Sequence, residues 1–284
     1  MILVTGATGK TGGAAAQSLL KRGAPIRVLV RDAEKASALK EAGAELVIGN
    51  ASDRDSVAKA LDGVDRALLI LPNSDEQVAQ EAQFVDLAKE AGVKHLVKMS
   101  SMEAVPGTTN PIPSIHVQSE NYIRESGLPW TFIKPNFFMQ NLMGSAATIK
   151  EQGKFFMPMK DGKTAMADVR DLGEAMAVVL TEDGHEGQSY ELTGPELLSF
   201  ADVADRFSQA LGRKIEYVDV PMDGYMEKIA PFLLNDWHVN AVKELFTEIA
   251  AGGLDYTTDT IQKLLGREPV SVKQFAEDHK AVFS

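Results

Sequence analysis

The stretch VTGATGKTG, Val4 to Gly12, decides the fold. Its glycines, Gly6, Gly9 and Gly12, fall at G-x-x-G-x-x-G spacing. The apolar run Ile2–Val4 precedes them, and Lys10–Lys21 follows with helical character, Ala16, Leu19 and Leu20 sharing one face. Strand, glycine turn and helix in that order open a dinucleotide-binding βαβ unit. Gly6 permits the tight turn, Gly9 lets backbone approach a pyrophosphate, and Gly12 lets the helix sit close to the sheet. The helix N-terminus adds N–H groups and positive potential for the phosphates. The tail GKT resembles a G-x-x-x-x-G-K-T phosphate loop, but that loop needs a glycine where Val4 stands, so that reading fails.

Working outward, the alternation continues. Ile26–Val30, Glu45–Ile48, Ala67–Leu71, His95–Met99 and Trp130–Lys134 read as strands. Ala33–Glu41, Asp53–Leu61 and Glu76–Ala91 read as helices, the last with Val78, Ala82, Val85 and Ala88 inward. Near-continuous apolar strands between amphipathic helices predict an α/β fold with a doubly wound parallel (Rossmann) sheet, whose ligands bind at the carboxyl ends of the strands. The second half is less regular. Lys154–Met157, Ser189–Leu192 and Ile215–Val218 read as short strands, Val169–Leu180 and Phe200–Leu211 as helices. After Pro221 the chain is mostly helical, with a stop at Gly266–Pro269. The expectation is a dinucleotide-binding Rossmann domain over 1–138, with 164–182 returning to it. A smaller, mainly helical α/β substrate-binding domain then spans 139–284.

The end of the second strand selects the dinucleotide. A carboxylate there suits the ribose hydroxyls of NAD, a cation the 2′-phosphate of NADP. Arg31 follows the strand directly, and its planar fork can grip a phosphate with two charge-assisted bonds. Lys35 lies one turn on. Asp32 would serve a ribose if the register slipped by one, and Arg31 could instead pair with Asp32 or Glu34. The balance favours NADP(H) over NAD(H).

Composition narrows the rest. The 284 residues carry a net charge of −11, with 44% apolar and 24% charged residues and no cysteine. No basic run breaks the acidic balance, which argues against nucleic acid and anionic membrane as partners. Without cysteine there is no disulfide, thiolate metal site or Cys nucleophile. The five histidines, 95, 116, 185, 238 and 279, show no metal-ligand spacing, so no metal site is expected. DVRD, Asp168–Asp171, reads as a helix N-cap and first turn. No apolar run approaches the ~20 residues that span a bilayer, and the expected location is cytoplasmic.

TGATGKTG, LVRDAEKA (Leu29–Ala36), GNASD (Gly49–Asp53), HxxxE (His116–Glu120) and LTEDGHEGQSYELTG (Leu180–Gly194) occur in this order. In order and spacing they resemble the NmrA-like branch of atypical short-chain dehydrogenases/reductases, including its NADPH-dependent quinone reductases and triphenylmethane reductase. The resemblance covers most of the chain to about Pro221. It implies that Gly6, Thr8, Gly9, Lys10, Thr11 and Gly12 meet the pyrophosphate and Arg31 the 2′-phosphate. It implies further that Ala51, Ser52 and Asp53 border the adenine, and that Leu71, Pro72 and Asn73 run beside the ribose and nicotinamide. Met99, Ser100 and Ser101, with Pro135, Asn136, Phe137 and Phe138, would close the nicotinamide pocket.

The wider superfamily uses Tyr-x-x-x-Lys, the Tyr giving a proton and the Lys lowering its pKa. Four residues beyond the tyrosines at 122, 190, 217, 225 and 256 stand Ser126, Gly194, Pro221, Ile229 and Thr260, so the dyad is absent. Where it is expected stand His116 and Glu120, which share a face if the stretch is helical. His116 has a titration range suited to proton donation, Glu120 could hold it, and His116 could equally only shape the pocket. Ser100 could hydrogen-bond nicotinamide or substrate, or simply end its strand. Met102, His116, Phe137, Phe138, Met139 and Trp237 would line a pocket for a flat aromatic acceptor, some of them as plain core. Two functions follow. One is an oxidoreductase handing hydride from NADPH to a quinone or similar conjugated acceptor. The other is a nucleotide-binding redox sensor that acts through a protein partner. A homodimer is compatible with either.

Overall fold

Each apolar run of the first half forms a strand in this computed structural model, which describes residues 1–253 and 255–284. The order is β1 (Ile2–Val4), α1 (Lys10–Lys21), β2 (Ile26–Val30), α2 (Ser37–Glu41), β3 (Glu45–Ile48), α3 (Arg54–Leu61), β4 (Arg66–Leu69), α4 (Gln77–Glu90), β5 (His95–Met99), α5 (Pro111–Ser126) and β6 (Trp130–Pro135). There follow α6 (Ala146–Gln152), β7 (Lys154–Met157), β8 (Lys163–Thr164), α7 (Val169–Thr181), β9 (Gln188–Leu192), β10 (Leu198–Ser199), α8 (Phe200–Leu211) and β11 (Glu216–Asp219). The chain ends with α9 (Met222–Ile229), α10 (Asp236–Ala251), α11 (Thr260–Leu265), α12 (Val272–Asp278) and α13 (Lys280–Phe283).

The main sheet has seven strands in the order β3-β2-β1-β4-β5-β6-β9. β1 through β6 pair in parallel. The chain builds outward from β1 to β3, then crosses back so that β4 lies on the other side of β1. The carboxyl ends of β1 and β4 therefore form the switch point, where ligands bind in such sheets.

Two expected elements are corrected. β4 ends at Leu69 and not Leu71, because the Ile70 N–H is taken by the Thr5 hydroxyl at 2.7 Å in place of a strand partner. On α4 the buried face is Gln77, Glu81, Phe84, Val85, Leu87 and Ala88, while Val78 and Ala82 are only half-buried. Two polar side chains thus point where apolar ones were expected, and a buried lysine described below explains them.

Two compact units divide the chain. The first contains Met1–Gly107, Pro113–Pro135 and Val169–Glu191; the second contains Thr108–Ile112, Asn136–Asp168 and Leu192–Ser284. Set beside the sequence boundaries, the first unit ends at residue 135 and takes back 169–191 where 164–182 was expected. In the first unit α7 packs on α1 so closely that a Cβ on Gly173 would overlap Ala14. In the second, β7 pairs in parallel with β11 and β8 antiparallel with β10. Helices enclose a core containing Phe155, Phe200, Phe207, Phe275 and Phe283. Among the described residues no helix is long and apolar enough to cross a membrane.

Candidate active site

The glycine loop leaves β1 at the switch point. Gly6 has φ +65°, and a Cβ there would sit 2.9 Å from the Ile70 carbonyl. A Cβ on Gly12 would overlap the Gly6 carbonyl, so α1 can begin this close to the sheet only with glycine at that position. Thr5 Oγ1 accepts from Ile70 N–H and donates to the Ile70 carbonyl at 3.0 Å, which ties the ends of β1 and β4 together. Gly9 is the N-cap of α1 and makes no side-chain cap. Thr8, Gly9 and Lys10 are exposed, Thr11 buried. The first turn of α1 is therefore an open cradle with N–H groups that have no partner within the helix, the geometry a pyrophosphate fits.

Around it stand the carboxyl ends of the other strands. Arg31 and Lys35 are exposed after β2. Asp32 accepts from Glu34 N–H at 2.9 Å, so its carboxylate starts the next turn, and Arg31 makes no ion pair among the described residues. After β3, Asp53 is the N-cap of α3 and accepts from Ser56 N–H at 2.9 Å. The Ser56 hydroxyl and N–H hold this carboxylate below its ordinary range. Ala51 is half-buried and Ser52 exposed. After β4, Leu71 is buried, Pro72 exposed and Asn73 half-buried.

The carboxyl ends of β5 and β6 carry a buried polar network that the sequence reading missed. Leu96 and Lys98 lie on one face of β5 and Phe132 and Lys134 on the same face of β6, with Lys98 opposite Phe132. Lys98 is 0% exposed. Its ammonium reaches Glu81 Oε1 at 2.9 Å, the Met99 carbonyl at 3.0 Å and His116 Nδ1 at 3.2 Å. Gln77 on α4 donates to the same Glu81 oxygen at 2.9 Å. Lys134 donates to the Ala104 carbonyl at 2.8 Å and lies 3.3 Å from Glu120. The signal was present: a lysine within an apolar strand run, at a parity that turns it inward, needs an inward carboxylate.

This network corrects two expectations for α5. Glu120 does not hold His116: its oxygens receive Ser100 Oγ–H, Lys134 and Arg124, the last at 2.9 Å. Nor does His116 titrate near neutrality. Burial pushes its pKa well below the ordinary range, and the cations Lys98 and Lys134 add to the effect. Ser100, its proton committed to Glu120, can offer only lone pairs. Met99 and Ser101 are half-buried and Met102 is buried, its N–H on the Pro135 carbonyl at 3.3 Å.

The remaining pocket candidates belong to the second unit. Asn136 Oδ1 accepts from Phe137 N–H and Thr164 Oγ1, both at 2.6 Å. Phe137 and Met139 are core side chains of that unit, Phe137 packing edge-on against Phe200. Phe138 and Trp237 are half-buried. Among the described residues no group of three or more His, Asp or Glu side chains is placed to hold a metal ion.

An open parallel sheet with a glycine cradle at its switch point defines the Rossmann class of α/β proteins. Residues 1–276 match the model of the NmrA-like family, and the chain belongs to that family. It is 35% identical to an NAD(P)H azoreductase of Xenophilus azovorans, across all of this chain and 99% of the relative. Two solved structures resemble it closely. The Citrobacter triphenylmethane reductase complexed with NADP(H) superposes with a TM-score of 0.86 at 27% identity, covering 98% of this chain and 99% of that one. The NADPH-dependent quinone oxidoreductase QOR2 of Escherichia coli, complexed with NADPH, gives 0.86 at 28%, with the same coverage.

Proposed function

We propose that this chain is an NADPH-dependent oxidoreductase that reduces a quinone or similar conjugated acceptor. The observation that carries the reading is the glycine cradle at the switch point, with exposed Arg31 following the neighbouring strand. The azoreductase, quinone oxidoreductase and triphenylmethane reductase relatives support it, since all three names describe reduction of a conjugated molecule. Gly6, Gly9, Thr11 and Gly12 would hold the pyrophosphate, Arg31 and Lys35 the 2′-phosphate, and the ends of β4 and β5 the ribose and nicotinamide.

Bound NADPH supplies hydride, which is the cofactor's own chemistry. The chain's part is to orient the cofactor and to hold proton positions nearby. No Tyr-Lys dyad is needed for an acceptor whose reduced oxygen is a weaker base than an alkoxide, because water can protonate it. His116, held neutral, supplies a hydrogen bond and not an acid.

The test is steady-state oxidation of NADPH by the purified chain, with and without benzoquinone, an azo dye and a triphenylmethane dye, and with NADH in parallel. Acceptor-dependent turnover favouring NADPH is the expected outcome. Tight NADPH binding without turnover across the panel would overturn the reading in favour of a nucleotide sensor.

A further inference from the structure

We propose that Lys98 is a positioning residue that fixes His116 as the neutral Nε2–H tautomer, so that His116 presents a permanent hydrogen-bond donor to a polar oxygen. The use of that donor rests on the reductase reading above; the tautomer itself rests on geometry alone.

An ammonium has three N–H bonds. Lys98 Nζ has three acceptors within hydrogen-bond distance: Glu81 Oε1, the Met99 carbonyl and His116 Nδ1. Each proton is therefore assigned, and His116 Nδ1 must be the acceptor of the third. A proton on Nδ1 would set two donors against each other at 3.2 Å. A neutral imidazole that accepts at Nδ1 carries its proton on Nε2. The Glu81 carboxylate, itself buried, faces the ammonium at 2.9 Å and is oriented by Gln77.

The groups around the ring favour the same state. Lys98 approaches from β5, and Lys134 from β6 adds a second cation. The α5 carboxylate one turn on, Glu120, is engaged by Ser100, Lys134 and Arg124 and offers the ring no counter-ion. A cationic imidazole would add a third positive charge to a buried pair of ammonium groups. Through the reaction the ring neither gains nor loses a proton. On the reductase reading, NADPH would supply the hydride and water the proton for the reduced oxygen.

The experiment is nitrogen-15 NMR of the full-length protein labelled at histidine, the His116 signals assigned by their loss in His116→Gln. The expected wild-type spectrum shows a pyridine-like Nδ1 and a pyrrole-like Nε2, unchanged from pH 5.5 to 9. An Nδ1–H tautomer, or an imidazolium in that range, would overturn the proposal. In Lys98→Met the ring should become a tautomer mixture and begin to titrate. Because that variant leaves Glu81 without its counter-ion, Glu81→Leu/Lys98→Met is measured beside it. A folded variant that keeps the pure Nε2–H form also overturns the proposal. In the kinetic arm, kcat should fall roughly tenfold, about one hydrogen bond, with KM for NADPH unchanged. It should also acquire a pH dependence that the wild type lacks. A wild-type Nε2–H ring in a protein that turns over no acceptor sustains the assignment of Lys98 and rejects the reductase. An Nδ1–H ring in an active reductase does the reverse.

Discussion

Arg31 is exposed at the end of β2 with no ion pair among the described residues, while its neighbour Asp32 is bound to the backbone of Glu34. Removing the guanidinium should therefore affect only a ligand that it grips. Arg31→Ala should weaken NADPH binding by about 1.5–3 kcal/mol, the range for a charged hydrogen bond, and leave NADH nearly unchanged. Fluorescence titration of both nucleotides checks this, and equal NADPH and NADH affinity in the wild type would reject the assignment. Gly12 is the second decisive residue. A methyl there would overlap the Gly6 carbonyl and push α1 off the sheet. Gly12→Ala should lower stability by about 1–3 kcal/mol and abolish tight nucleotide binding, read from urea midpoints and the same titration. The positions of both residues were legible in the sequence, because glycine spacing and a charge at a strand end are local features, while the ligand each meets is what these two variants test. Lys98 was not legible. Its role needs Glu81 and His116, 17 and 18 residues away, and only the fold brings them to it.

At the scale of elements, α4 shows how a buried charge changes a helix. Its inward face includes Gln77 and Glu81 because β5 sends an ammonium into the same layer. Glu81→Leu alone should destabilise the protein by about 3–5 kcal/mol, since it strands Lys98 in the core. Adding Lys98→Met should recover most of that loss. Urea denaturation of the two variants measures the difference.

β5 carries a pH-sensitive group at its other end. His95 Nε2 lies 2.8 Å from Thr131 Oγ1, whose own proton goes to the His185 carbonyl. His95 must then donate from Nε2, and its Nδ1 is buried with no partner among the described residues. Burial is the main cause that lowers its pKa to about 4; Glu186 opposes the shift, and Arg66 and His185 add to it. The unfolded chain takes up this proton near pH 6.5, the folded one only near 4. The folded state thus binds fewer protons in between, so its stability is complete above pH 6.5 and declines as pH falls toward 4. His95 should contribute on the order of 2–3 kcal/mol across that window. His116 adds a slope of the same sign. Comparing urea midpoints of wild type and His95→Gln from pH 4.5 to 7 isolates the His95 part: the variant keeps a donor for Thr131 and should show a shallower slope.

For the whole molecule, the division into units matters more than any one contact. Each unit is assembled from three separate segments of chain, so no single cut separates them. α7 returns to the first unit and lies against α1, buried from Val169 through Leu180 except at Arg170 and Glu174. A fragment of residues 1–138 lacks α7 and leaves the face of α1 uncovered. It should not unfold cooperatively in urea, whereas the full chain should; near-UV circular dichroism gives the comparison. By itself the sequence determined the nucleotide half: the order of strands and helices, the glycine cradle and the cation beside it. Strand alternation, glycine geometry and helix periodicity act over a few residues and survive in a one-dimensional reading. Only the tertiary structure decided which lysine meets which carboxylate, which tautomer His116 adopts, and that Phe137 and Met139 are core side chains of the second unit. Those depend on contacts between distant segments, and burial raises the electrostatic stake in a pairing that sequence distance conceals.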